Sequence, residues 1–156
     1  MKIHVWLNEH EITREIAADL PLLEFVRSEG CYSVKRGCET ANCGLCTVLM
    51  NKKSVLSCSV LAVQADGQEI VTLEGMQKEA EEFGDFLANE GAEQCGFCNP
   101  GFIMNVFAML EEIEEPTEEE ILEYLAGNLC RCSGFVGQTR SILKFLEYKK
   151  GGKKEA

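Results

Sequence analysis

Eight of the nine cysteines in this chain fall into two sets of four: Cys38, Cys43, Cys46 and Cys58, then Cys95, Cys98, Cys130 and Cys132. Thiolates placed four by four are ligands before they are anything else, so each set predicts a metal-bound unit that the surrounding chain must wrap. The sets divide the 156 residues near the middle, which predicts two small domains over residues 1–76 and 77–156. Each is short enough to bury only about 60% of its unfolded surface, so each needs a staple, and the cysteines supply one per half. No stretch is long and apolar enough to span a membrane. The start, MKIHVWLNEHEI, lacks the charged and apolar regions of a secretion signal. Both observations predict a cytoplasmic chain, where structural disulfides are rare and many cysteines mean metal or redox work.

The first set reads Cys38-x4-Cys43-x2-Cys46 with a distant fourth member at Cys58. That is the plant-type [2Fe–2S] spacing. A two-iron rhomb needs two thiolates per iron. A wrapping loop supplies three, and a separate segment, here just beyond the strand Val55-Leu56, supplies the fourth. Zinc ribbons prefer two well-separated CxxC pairs, and this half holds only one. The second set pairs Cys95-x2-Cys98 with Cys130-x1-Cys132, with 31 residues between Cys98 and Cys130. Each pair stands just before a predicted helix, whose unpaired amides and partial positive charge suit an anionic cluster. On this local chemistry alone zinc remains a rival, although the tight CxC fits a simple zinc knuckle poorly.

Between the ligands, the pattern alternates first and turns helical later. Ile3, Val5 and Leu7 share one face of a strand and His4 and Trp6 the other, with Asn8-Glu9 turning into a second strand through Ile12. Asp19-Leu20-Pro21 opens a short helix that Gly30 closes. Thr47–Met50, Ser54–Leu56 and Ile70–Leu73 read as further strands. Gly75 to about Glu82 reads as a linker. Helices are predicted over about 82–90, from an Asn99 cap with Pro100 in the first turn, from a capping box at Thr117, and over 138–148, with a frayed charged tail from Lys149 to Ala156. The architecture is therefore α+β, strands first and then a bundle of four short helices.

Net charge is −11, from 15 basic and 26 acidic residues. This argues against a nucleic-acid partner, because phosphate contacts need basic patches. The glutamates between Glu111 and Glu123 read as a solvated face. Cys31, the ninth cysteine, reads as a small, partly buried side chain. His4 and His10 have no partner motif. No nucleophile–base pair, phosphate loop or nicotinamide fingerprint is present, so the chain reads as a conductor of electrons whose substrate pocket lies elsewhere.

Taken together, KRGCETANCGLCT at 35–47, LEGM at 73–76, QCGFCNPGF at 94–102 and GNLCRCSGF at 127–135 resemble the iron–sulfur subunits of the molybdenum hydroxylases, the xanthine dehydrogenase and aldehyde oxidoreductase family. The resemblance spans nearly the whole chain. It implies a plant-ferredoxin-like β-grasp domain followed by a four-helix bundle, each with a [2Fe–2S] cluster on its four cysteines. It also implies partner subunits carrying molybdopterin and FAD. Electrons would pass from the molybdopterin subunit through the bundle cluster, then the ferredoxin-like cluster, to the flavin subunit or another acceptor. In this family the position of Gln94 contacts the pterin, with Cys132 on the side nearest it. Purines are the first substrate expectation, with other N-heterocycles, aldehydes and carbon monoxide open. A free-standing ferredoxin-like carrier is the alternative. The chain departs from the family loop C-G-x-G-x-C at Glu39 and Ala41, from its usual Thr at Asn99, and from Thr-Gly-Tyr at Ser133-Gly134-Phe135.

Overall fold

A computed structural model of the chain describes residues 1–152. The first half is a five-stranded mixed sheet against one helix. The strands are β1 (Lys2–Leu7), β2 (His10–Glu15), β3 (Thr47–Met50), β4 (Lys53–Leu56) and β5 (Glu69–Val71), in the order β2-β1-β5-β3-β4. β1 runs parallel to β5, and the other neighbours are antiparallel. Both hairpins close on two residues with left-handed backbone, Asn8-Glu9 and Asn51-Lys52. That conformation matches the twist of the strands it joins. The predicted alternation in β1 holds: Ile3, Val5 and Leu7 are buried. They pack with Leu22, Leu23, Phe25 and Val26 of α1 (Leu22–Ser28), and with Val48 and Ile70. Pro21, rather than Asp19, occupies the cap position of α1, and no side chain caps it.

The second half comprises α2 (Gln77–Asn89), α3 (Asn99–Glu112), α4 (Glu118–Tyr124) and α5 (Phe135–Gly152). Its core is aromatic. Phe83 of α2 lies edge-on to Phe145 of α5 with ring centroids 5.2 Å apart, and Phe102 stacks on Phe83 at 6.3 Å. Each such ring contributes roughly 1.5–3 kcal/mol through burial. Thr117 caps α4 as its sequence predicts, accepting from the Glu120 amide while Glu120 reaches back. Three boundaries differ from expectation. The stretch 77–82 is helix rather than linker. Its residues are good helix formers, and Ala80, Phe83 and Leu87 make one buried stripe. Cys98, not Asn99, caps α3, its carbonyl taking the first helical bond from Phe102 N at 3.1 Å. α5 starts three residues earlier than the reading over 138–148 and continues through Gly152. The remainder of the expected tail lies outside the described residues.

A third, smaller cluster of Leu49, Met104 and Ala108 packs β3 against α3 and so joins the halves. Among the described residues no helix is long and apolar enough to cross a membrane.

Candidate iron–sulfur sites

Three thiols of the first set, Cys38, Cys43 and Cys46, sit on the loop between α1 and β3, and the fourth, Cys58, follows β4. Glu39 and Ala41 have φ of +55° and +59°, so they hold the left-handed backbone that glycine adopts freely. Alternating right- and left-handed residues turn successive amides to one side. Thr40 N and Asn42 N donate to Cys38 Sγ at 3.4 and 3.3 Å, and Cys38 N donates to Cys43 Sγ at 3.4 Å. The amides from Thr40 and Asn42 hold the Cys38 thiol down to about 6. Cys46 immediately precedes β3 and is buried, and burial pushes its thiol up to about 11, with Cys58 as its thiol neighbour. The carbonyl of Cys46 accepts from Ser57 N and Ser57 Oγ at 3.3 and 2.7 Å. These bonds fix the short 3-10 turn Ser57–Ser59 that presents Cys58.

The second set converges from two helix starts. Cys95 and Cys132 are exposed, with their sulfurs 3.5 Å apart, far beyond the ~2.05 Å of a disulfide. Cys98 and Cys130 form the inner pair, and burial pushes Cys98 up to about 12. Burial would raise Cys130 too, but amides from Gly134, Ser133 and Cys132 outweigh it and bring the thiol down to about 7. Ser133 N lies 3.3 Å from Cys130 Sγ. Gln94 Nε2 donates to the carbonyl of Cys132 at 3.2 Å, which ties the CxxC segment to the CxC segment.

The two sets thus present thiols two by two: Cys38 with Cys43, Cys46 with Cys58, Cys95 with Cys132, and Cys98 with Cys130. Among the described residues no three His, Cys, Asp or Glu side chains gather around a single point. Paired thiols with inward-facing amides are the donor set of a two-iron cluster, whose negative charge and sulfurs call for such amides. The residues present therefore fit the group that their spacing implies. Cys31 stands apart, buried beside Asn8 at 3.6 Å.

Sequence reasoning missed what holds the two sets together. Leu129 N, next to Cys130, donates to the carbonyl of Cys43 at 3.0 Å. The buried Asn128 amide donates to the carbonyls of Gly44 and Gly101, both at 3.3 Å, and accepts from Asn105 at 2.6 Å. Gly101 is pressed against the first loop: a Cβ there would lie 2.3 Å from the Gly44 oxygen. Lys35 Nζ lies 5.9 Å from the ring centroid of Phe97, which stands between Cys95 and Cys98. Of these, only the glycines carried a signal in the sequence, since backbones that approach closely leave no room for a Cβ.

Residues 6–83 match the 2Fe-2S iron-sulfur cluster binding domain, and residues 72–143 match the [2Fe-2S] binding domain. The chain is 40% identical over 140 residues to the nicotinate dehydrogenase small FeS subunit of Eubacterium barkeri, covering 86% of this chain and 89% of that one. It is 48% identical over 127 residues to the xanthine dehydrogenase iron-sulfur-binding subunit of Escherichia coli O157:H7, covering 79% and 80%. Quinoline 2-oxidoreductase from Pseudomonas putida 86 superposes with a TM-score of 0.84 at 33% identity, over 91% of this chain and 90% of that one. Aldehyde oxidoreductase from Desulfovibrio gigas superposes with a TM-score of 0.89 at 28% identity, over 97% of this chain and 17% of that longer one. The fold, the two cluster-binding domains and these relatives agree: the chain belongs to the iron–sulfur small subunits of the molybdenum hydroxylases, as the electron-transfer component of an oxidoreductase.

Proposed function

We propose that Cys38, Cys43, Cys46 and Cys58 hold one [2Fe–2S] cluster within residues 1–76, and that Cys95, Cys98, Cys130 and Cys132 hold a second within residues 77–156. The observation that carries this reading is the pairwise approach of the thiols with backbone amides turned toward them. Within each set the pairs named above would each serve one iron. A bound cluster of this kind accepts and releases single electrons. This chain's contribution is to hold two such centres at a fixed separation, to supply amides that favour their charge, and to leave the Cys95–Cys132 pair open. Cys95 and Cys132 are exposed, whereas Cys38 and Cys43 are half-buried.

The chain then works between two larger partners. The second set, with Gln94 beside it, faces a molybdopterin-bearing large subunit. The Cys38–Cys46 loop faces an FAD-bearing subunit or another acceptor. Gln94 lies exposed and already oriented through Cys132, which suits a contact to the pterin across that boundary. The relatives named for xanthine, nicotinate and nicotine share a nitrogen heterocycle, and we assign that class of substrate to the holoenzyme. The nine cysteines, none of them in a disulfide, support a cytoplasmic setting.

The test is electron paramagnetic resonance on anaerobically purified, chemically reduced protein, with iron and sulfide analysis. Two distinct [2Fe–2S] signals are expected. Cys43→Ser should remove one signal and Cys95→Ser the other, and co-purification should recover a larger molybdenum-containing chain. Loss of both signals from either substitution would overturn the two-domain assignment. A colourless zinc-loaded protein would overturn the cofactor. A loaded protein that never binds such a chain would point to the free-standing ferredoxin-like carrier.

A further inference from the structure

Lys35 is built into one cysteine set and reaches the other. It stands three residues before Cys38, and its amide donates to the carbonyl of Leu45, the residue before Cys46, at 3.2 Å. Its backbone therefore belongs to the first loop. Its side chain crosses to the helical half, where Nζ lies 5.9 Å from the centre of the Phe97 ring. That is within the ~6 Å at which a ring face attracts a cation. Phe97 stands between Cys95 and Cys98, so a first-half residue rests its ammonium against the second set.

Among the described residues Lys35 is the one lysine that is half-buried; the others are exposed. A charge withdrawn from water calls for an anion, yet Lys35 joins none of the ion pairs among the described residues. Other cations near the ligands are differently placed. Arg36 is taken up by Glu24 and Glu39, and Arg131, between Cys130 and Cys132, is exposed. The anion left for Lys35 is the one that the neighbouring thiols would hold. A [2Fe–2S] centre on four thiolates is negative when oxidised. Taking up one electron adds one negative charge and neither makes nor breaks a bond. A cation fixed beside it therefore favours the reduced form over the oxidised one.

We infer that Lys35 tunes the second cysteine set electrostatically: its ammonium, held over Phe97, raises the reduction potential of the cluster on Cys95, Cys98, Cys130 and Cys132. The inference rests on the cluster assignment proposed above. The test is a potentiometric titration of the cluster-loaded full chain followed by paramagnetic resonance, with the two signals assigned through Cys43→Ser and Cys95→Ser. A unit charge on the order of 10 Å away, at an effective dielectric of about 20, shifts a one-electron equilibrium about 10-fold. Lys35→Met should therefore lower the reduction equilibrium of the second-set cluster about 3–30-fold, which is about 30–90 mV at ~59 mV per tenfold. The first-set cluster should fall by less. Lys35→Arg keeps the charge and should stay within about twofold of the wild type. In a Phe97→Leu background the ammonium loses its perch, and the shift caused by Lys35→Met should shrink to less than half. An unchanged second-set potential in Lys35→Met overturns the inference, as does a larger fall at the first set. An equal fall in Lys35→Arg overturns it too, because packing rather than charge would then be at work. So does an undiminished shift in the Phe97→Leu background. Loss of the second-set signal in both Lys35→Met and Lys35→Gln would make the side chain a retainer of the cluster and would likewise overturn tuning. Absence of two [2Fe–2S] signals in the wild type would sink the cluster assignment itself, a result distinct from an unmoved potential.

Discussion

Gly101→Ala and Gly84→Ala are the same substitution in two helices, and the structure gives them opposite signs. Ala is favoured over Gly by roughly 1 kcal/mol in a helix interior. Gly84 lies inside α2, and a Cβ there meets nothing within 4 Å. That variant should gain most of the helix preference. Gly101 lies in the first turn of α3, where a Cβ would sit 2.3 Å from the Gly44 oxygen and 3.0 Å from both the Cα and the carbonyl carbon of Leu45. All three atoms are backbone, so no rotamer change relieves them. A carbon resting against a carbonyl oxygen needs about 3.3 Å, so α3 and the first cysteine loop must part by about 1 Å. Overpacking of this kind costs roughly 1–3 kcal/mol. A 2.3 Å clash against backbone belongs in the upper half of that range, about 2–3 kcal/mol, and the helix preference of about 1 kcal/mol leaves Gly101→Ala destabilised by about 1–2 kcal/mol. For a chain of this length that is a drop of about 2–8 °C in melting temperature, against a rise for Gly84→Ala. Circular dichroism of the loaded proteins reads the melting. Paramagnetic resonance reads the strain, which should alter the signal lost in Cys43→Ser, because Gly44 lies between Cys43 and Cys46 of that set. A Gly101→Ala protein that melts as high as Gly84→Ala with unchanged signals would refute the packing argument.

Two further outcomes can be checked on the isolated chain. The Glu74 carboxylate accepts from Ser33 N, Ser33 Oγ and Thr72 Oγ1. Burial works to raise it, but these bonds prevail and hold it below the ordinary carboxylate value. A depressed folded value means that this contribution is complete above about pH 4.5 and is lost as pH falls through the folded value. Glu74→Gln should therefore flatten the acid limb of a melting-temperature profile, and an unchanged limb counts against the assignment. Ala41→Gly removes a left-handed alanine, φ +59°, whose conformation costs roughly 1–2 kcal/mol, partly offset by the entropy of glycine. Slower loss of visible absorbance under a chelator is expected, and faster loss would contradict it.

The two sets of four cysteines stand out in the sequence because ligand chemistry restricts both residue type and spacing, and the structure brings their thiols together in pairs. The sequence made the hairpins legible because Asn8 and Asn51 tolerate left-handed backbone. The start of α2 is hard to read from sequence because Gly75 and a run of charge resemble a linker. The helix is settled by Ala80, Phe83 and Leu87 docking against the rest of the bundle, which is a tertiary effect. The roles of Asn105 and Asn128 were not legible. Each is an ordinary polar residue until α3 and the segment before Cys130 are brought together. Glu39 and Ala41, departures from the glycines of the resembled motif, keep the left-handed turns that those glycines would have supplied.

Asn128 and Leu129, just before Cys130, bind the carbonyls of Cys43 and Gly44 in the first cysteine loop and that of Gly101 in α3 into one knot. The natural cut for building hybrids from relatives therefore does not fall at the midpoint of the chain. A chimera that takes its strands from one parent and its helices from another would sever that knot and set the spacing of its centres adrift. One that transplants Gly44, Gly101, Asn105 and Asn128 together would carry the seam intact into a foreign scaffold.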